Sequence, residues 1–267
     1  MALHLSAPID RRTFLADLGR GAFALAVVTV AGCGPAVRAT PSAAGSESPD
    51  ESASVQPTHD RGSAAPRPSS SGALTWERVN LGFVSAYVLA RGGEAAIVDT
   101  GVGGSADAIE TSLTGIGLDW SAVGHLILTH HHGDHVGSAA DIMDRAPDAV
   151  GYAGAEDIAA ITVPRVLTAV ADGEEVFGLR VITTPGHTPG SISVLDPVGG
   201  LLVAGDALRT DGGRPTLPGA DFTEDMALAK QSIVKLGGLA FETLLVGHGD
   251  PIEGGASAAV AELGAVG

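Results

Sequence analysis

The stretch Thr129-His130-His131-His132-Gly133-Asp134-His135 sets four metal-binding side chains, His130, His132, Asp134 and His135, within six residues. On an extended segment positions 130 and 132 project to the same side, so two imidazoles can reach one ion. Gly133 then permits a sharp turn that aims Asp134 and His135 at a neighbouring ion. Neutral imidazole and carboxylate suit zinc, and the same donors accept cobalt, manganese or iron. The apolar run at 126–128 reads as a short buried strand entering this cluster. Residues 138–145 carry helical spacing that stops at Pro147.

Three later segments also end an apolar run on a ligand type. They are Thr184-Pro185-Gly186-His187-Thr188-Pro189-Gly190, Leu202-Val203-Ala204-Gly205-Asp206 and Leu245-Val246-Gly247-His248-Gly249. Each mounts its ligand just past a strand, which gives the rigidity a metal site needs. The glycine before each ligand lets the backbone bend without a Cβ obstructing the ion. Around these motifs, strands are expected at 84–89, 95–98, 176–183, 192–195, 201–204 and 244–246, and helices at 106–113 and 223–236. Strands alternating with helices argue for an α/β layered domain.

In this order the motifs HxHxDH, PGHTPG, AGD and GHG resemble the metallo-β-lactamase fold superfamily of hydrolases, and the likeness covers nearly all of residues 74–267. The resemblance implies an αββα sandwich forming a single catalytic domain, with metals at one edge of its two sheets. It also implies that His130, His132 and His187 hold one ion, that Asp134, His135 and His248 hold the other, and that Asp206 bridges them. Asp99, in Val98-Asp99-Thr100-Gly101, matches a family position that orients a metal histidine from behind. Two divalent ions, zinc in the first instance with iron or manganese as alternatives, would share a hydroxide poised to attack a small-molecule ester, thioester, lactone or related bond. Asp134 would steer that nucleophile and pass a proton to the leaving group.

Other readings of the same motifs remain open. A sulfur (persulfide) dioxygenase resembles this scaffold with a single iron at the three-histidine site. A non-catalytic metal-binding lipoprotein would keep the ligands without turnover. A true β-lactamase usually lacks the bridging aspartate or has cysteine near that point, and residues 74–267 contain no cysteine. His131 should point away from the ions if its neighbours point toward them. Arg209 and Arg214 follow Asp206 in a loop where either can meet an anionic substrate group, although solvated loop arginines are the ordinary case. Tyr87 and Tyr152 read as packing residues.

With 15 Lys+Arg against 31 Asp+Glu, the formal charge of -16 repels phosphate backbones and anionic membrane surfaces, so nucleic-acid partners are excluded. The single cysteine, Cys33, forms neither an internal disulfide nor a zinc-thiolate cluster. It belongs instead to the N-terminal region. Arg11-Arg12-Thr13-Phe14-Leu15, the uncharged run from Gly21 to Ala31, and Val30-Ala31-Gly32-Cys33 follow one another as in a twin-arginine signal ending in a lipobox. Residues 1–32 are accordingly expected to be a signal peptide and Cys33 a lipidation site. Residues 33–73, rich in Ser, Pro and Ala, are expected to be a disordered tether. The chain would then sit on the outer face of the cytoplasmic membrane or cell envelope, touching lipid through that anchor alone.

Overall fold

The structure is a computed structural model that describes residues 72–266. The expected signal segment, Cys33 and all but the last two residues of the expected tether lie outside the described residues. The strands are β1 (Thr75–Asn80), β2 (Ser85–Arg91), β3 (Glu94–Val98), β4 (Val123–Leu128), β5 (Val150–Gly154), β6 (Thr168–Val170), β7 (Glu175–Val176), β8 (Leu179–Thr183), β9 (Ile192–Asp196), β10 (Leu201–Val203), β11 (Arg209–Asp211), β12 (Arg214–Thr216), β13 (Thr243–Leu245) and β14 (Ile252–Glu253). The helices are α1 (Ala106–Gly115), α2 (Gly133–Val136), α3 (Ala139–Arg145), α4 (Met226–Gly237) and α5 (Ala256–Val266). One six-stranded sheet runs β1-β2-β3-β4-β5-β6 and the other β14-β13-β10-β9-β8-β7, with β11 and β12 forming a separate ribbon.

Strand alternation builds the layers. In β4, Ile127 faces the opposite sheet while Leu126 and Leu128 face the helices; in β10, Leu201 and Val203 point inward and Leu202 outward. The sandwich interior therefore joins Leu89, Val98 and Ile127 to Val181, Val194, Val203 and Leu245. Outside the first sheet lie Ile109 and Leu113 of α1 with Ile142 of α3; outside the second lie Ile233 of α4 and Val260 of α5. The result is an αββα sandwich, as the resemblance implies. Each buried Leu, Ile or Val contributes roughly 1.5–3 kcal/mol, and a one-residue slip would exchange the two faces of a strand, so the pattern fixes the register.

Direction then collects the ligands. Strands β3 and β4 are parallel, and so are β10 and β13; β8 is antiparallel to β9, which is antiparallel to β10. Strands β3, β4, β8, β10 and β13 consequently end at sites the two sheets share. The sheets are tied there by Ile192 N to Thr129 O at 2.8 Å, Ser85 N to Gly247 O at 2.9 Å, and the Tyr87 hydroxyl to Val246 O at 2.7 Å. Burial pushes the Tyr87 phenol up to about 12, so it stays a neutral donor.

Two expectations about elements need correction. The strand expected at 176–183 is a hairpin, β7 and β8, whose two-residue turn Phe177-Gly178 has φ of 56° and 71°. Positive φ at both turn positions matches the right-handed strand twist, but a phenylalanine in the first gives no Asn-Gly-type signal. The helix expected from 223 begins at Met226, because the Asp225 carboxylate caps it by accepting from Leu228 N at 2.9 Å.

Candidate metal centre

Residues 129–132 run past the end of β4 without regular structure, and Gly133 opens the single turn of α2. The sharp glycine turn expected here does not occur: Gly133 is not among the positive-φ glycines, and a Cβ there would meet nothing within 4 Å. The turn of α2 itself swings Asp134 and His135 back toward the His130 side. Ring nitrogens of His130, His132 and His187 lie within 4.8 Å of one another, as do the ligand atoms of Asp134, His135 and His248. The Asp206 side chain, 10% exposed, lies between the two groups. Its Oδ1 is 3.4 Å from His135 Nε2, and its Oδ2 is 3.5 Å from His187 Nε2 and 3.1 Å from His248 Nε2. All seven side chains named from the sequence are thus brought together.

His131 is turned out of this cluster, its Nδ1 3.1 Å from Asp157. Arg209 reaches the adjoining cavity and Arg214 does not line it. His125 stacks between Tyr152 and Phe177, away from the cluster.

Asp99 occupies the left-handed region at φ 59°, which aspartate tolerates better than most residues. Its Oδ1 accepts from Thr129 N at 2.8 Å, and its Oδ2 accepts from the Thr129 hydroxyl at 2.7 Å and from His135 Nδ1 at 2.8 Å. Because the Thr129 hydroxyl donates to Asp99, it must accept from His130 Nδ1, 3.1 Å away. The Thr223 hydroxyl donates to Gly219 O, so it likewise accepts from His187 Nδ1 at 3.2 Å. His248 Nδ1 donates to the Phe83 carbonyl at 2.7 Å. Four histidines therefore donate from Nδ1 and turn Nε2 toward the centre. Thr129, Thr223 and the Phe83 carbonyl had no signal in the sequence, since a hydroxyl or carbonyl behind a ring is defined only by the fold.

The centre fits a pair of cations. His130 Nε2, His135 Nε2 and Asp206 Oδ1 are buried without hydrogen-bond partners, and His132 Nδ1 lies 3.0 Å from His187 Nε2. Orphaned acceptors converging in this way require a positive charge among them. Electrostatics agree. Burial holds the His130 ring well below its ordinary value and brings His187 down to about 4, so both stay neutral donors of a lone pair. The hydrogen bond from His248 takes Asp134 down to about 2, and the Asp134 and Asp206 carboxylates take His248 up to about 10. In the absence of ions the His248 proton supplies the missing positive charge, and it must leave when a cation binds.

The three glycines before the later ligands serve different ends. At φ 132° Gly186 lies against the Ala229 backbone, and Gly205 at φ 54° against Thr129. Only Gly247 faces the ligands: its Cβ would run into Asp206 Oδ1 and His135 Cε1, and Gly247 has no positive φ. Gly247→Ala is therefore expected to fold while weakening metal affinity at least about tenfold through displaced ligands, measured by zinc titration against a chromophoric chelator. Unchanged affinity would show that Asp206 and His135 are not held in place for an ion.

Comparison with known proteins follows this geometry. The family model of the metallo-beta-lactamase superfamily matches residues 79–248. An uncharacterized protein of Bacillus subtilis (strain 168), YobT, is 31% identical over 154 residues, 49% of this chain and 64% of that protein. A hydroxyacylglutathione hydrolase of Acidiphilium cryptum (strain JF-5) is 35% identical over 115 residues, 41% of this chain and 43% of that enzyme. The chain spans less than two thirds of the length of these two relatives. The crystal structure of a metallo-beta-lactamase family protein from Thermus thermophilus superposes with a TM-score of 0.60 at 26% identity, covering 72% of this chain and 78% of that one.

Proposed function

Because the chain belongs to the metallo-beta-lactamase superfamily, we propose that it is a metal-dependent hydrolase that cleaves an ester, thioester, lactone or related bond of a small molecule. The observation that carries this reading is the convergence of two complete ligand groups on one carboxylate, Asp206. His130, His132 and His187 would hold one divalent cation, Asp134, His135 and His248 the other, and Asp206 both. When bound, such a pair acidifies water and polarises a carbonyl. The second ligand group favours this reading over a single-iron dioxygenase, because it offers a second cation a complete set of donors.

The chain's own residues do the rest. Asp134 lines the cavity, where its carboxylate would orient an attacking water by accepting its hydrogen bond and pass the proton on to the leaving group. The Phe83 carbonyl holds the His248 ring, and the Phe83 ring stacks on it at 6.1 Å between centroids. A cavity of about 790 Å³ opens over the centre, of a size for a small molecule. At its rim Phe83 and Phe222 are 63% and 71% exposed, and among the described residues Arg209 is the only lysine or arginine in the lining. An acyl compound with an apolar body and an anionic group fits these walls.

Zinc-loaded protein is expected to hydrolyse members of a panel of thioesters, lactones, carboxyl esters and β-lactams, to lose activity with a chelator and to regain it with zinc. Two bound ions without turnover anywhere in that panel would sink the hydrolase reading in favour of a metal-binding lipoprotein. Arg209→Ala is expected to raise KM about tenfold for a carboxylate-bearing substrate, the equivalent of about 1.5 kcal/mol for a charged hydrogen bond, and to leave its neutral analogue unchanged. An equal effect on both substrates would remove Arg209 from substrate binding.

Export on a lipid anchor completes the proposal. It is supported by the order of Arg11-Arg12, the uncharged run and Cys33, and release of a Cys33→Ala chain from membranes tests it.

A further inference from the structure

Asp157 lies past β5, at the start of the short 3-10 turn Ile158–Ala160, and is 1% exposed. A buried carboxylate costs several kcal/mol of desolvation unless it is paired or well hydrogen-bonded. Among the described residues no lysine or arginine pairs with it. Its partners come instead from the two loops that carry the three-histidine group. His131 N donates to Oδ2 at 2.9 Å, the Thr188 hydroxyl to Oδ2 at 2.6 Å, and Gly190 N to Oδ1 at 2.7 Å. The His131 ring nitrogen, 3.1 Å from Oδ2, is too far off line to add a hydrogen bond.

The sequence positions of these partners give the contacts their meaning. His131 sits between His130 and His132, and Thr188 follows His187. The loops are packed to admit the carboxylate: a Cβ on Gly190 would stand 2.6 Å from Asp157 Oδ1, and one on Gly154 would run into Gly190 O. Ser191 completes the arrangement. Its hydroxyl accepts from Thr188 N at 3.0 Å, so it donates to the Thr188 hydroxyl at 2.7 Å, leaving that hydroxyl's own proton for Asp157. Charged acceptors make bonds roughly twice as strong as neutral ones, which suits a clamp between loops that share no strand. Asp99 works differently, since besides holding Thr129 N it bonds the His135 ring itself, whereas Asp157 holds only the two loops.

We propose that Asp157 is a positioning residue for the three-histidine half of the centre, clamping the His130–His132 segment to the His187 loop. The inference rests on reading the cluster as a two-ion site. The test is titration of the ion-free full chain with Co(II) and Zn(II), following stoichiometry, affinity and the Co(II) absorption spectrum. Asp157→Asn is expected to weaken one of the two ions about 10–100-fold, to alter the Co(II) spectrum and to leave the other ion unchanged. Thr188→Val, which deletes one donor to the clamp, is expected to show the same selective loss in smaller measure, and Thr188→Ser to restore wild-type binding. Asp196→Asn, which breaks the buried pair of Asp196 with Arg91 3.4 Å away, is expected to lower the melting temperature with both ions bound normally.

If Asp157→Asn lowers only the melting temperature, with wild-type affinities and spectrum, the residue is structural and the inference is overturned. Should that variant not fold, the Thr188 pair decides, and wild-type affinity in Thr188→Val overturns the proposal. A wild-type chain that binds no ion overturns the two-ion reading and this inference with it. Two ions bound alike by wild type and variants remove the inference alone.

Discussion

Asp206→Asn is expected to lose most of both ions and to lower kcat/KM by a factor on the order of 10³ or more. Its carboxylate touches ligands of both groups: His187 of one, and His135 and His248 of the other. The amide keeps the shape of the side chain and removes the charge that would hold both cations. Metal assistance is worth several kcal/mol of transition-state stabilisation, and about 4 kcal/mol corresponds to that factor. Metal analysis by mass spectrometry alongside steady-state kinetics reads both effects. Asp211→Asn, at an exposed carboxylate in β11, is the control and should change neither. Full metal content and activity in the Asp206 variant would show that the two ligand groups do not act through a shared bridge.

Asp99→Ala should be the most destabilising of the site substitutions. It leaves Thr129 N and His135 Nδ1 as buried donors without an acceptor, each costing about 1–3 kcal/mol. It also places alanine at φ 59°, at a further cost of about 1–2 kcal/mol. The sum, about 3–8 kcal/mol, is a large share of a typical stability of about 5–15 kcal/mol. Urea unfolding of the ion-free chain measures it, and a loss under about 1 kcal/mol would contradict the hydrogen-bond pattern. Asp99→Asn separates the roles. Asparagine tolerates the left-handed backbone and keeps one acceptor, so this variant should fold. Its single oxygen cannot accept from Thr129 N on one side and from the Thr129 hydroxyl and His135 Nδ1 on the other, so metal affinity should fall about 10–100-fold.

The legibility of the site in the sequence followed from where its residues stand. His130, His132, Asp134 and His135 form one cluster after a short apolar run, and His187, Asp206 and His248 follow further apolar runs, so composition and position coincide, and all seven meet in the fold. The strands at 95–98 (Ala-Ala-Ile-Val) and 192–195 (Ile-Ser-Val-Leu) were legible because a buried strand in a layered domain is a short, largely apolar run rich in branched side chains. Strand β5 was not, since Val150-Gly151-Tyr152-Ala153-Gly154 has little apolar mass of its own and is held by parallel pairing with β4. Nor was α5, an alanine-rich segment whose partner is the face of α4. Gly133 invited a turn that its surroundings do not demand.

Local runs of apolar residues and the ligand types that close them pointed to an α/β layered domain and to the candidate ligands, and the resemblance those motifs carry implied the αββα sandwich and the ligand pairing, because strand alternation and donor chemistry are properties of a residue and its near neighbours. Which nitrogen each imidazole presents, which carboxylate stands behind which loop, and which of two arginines reaches the cavity were decided only by the tertiary structure. Those features depend on hydrogen bonds between segments tens of residues apart, from Asp99 to His135 and from Asp157 to Gly190, and on a strand order that brings distant chain segments to one edge.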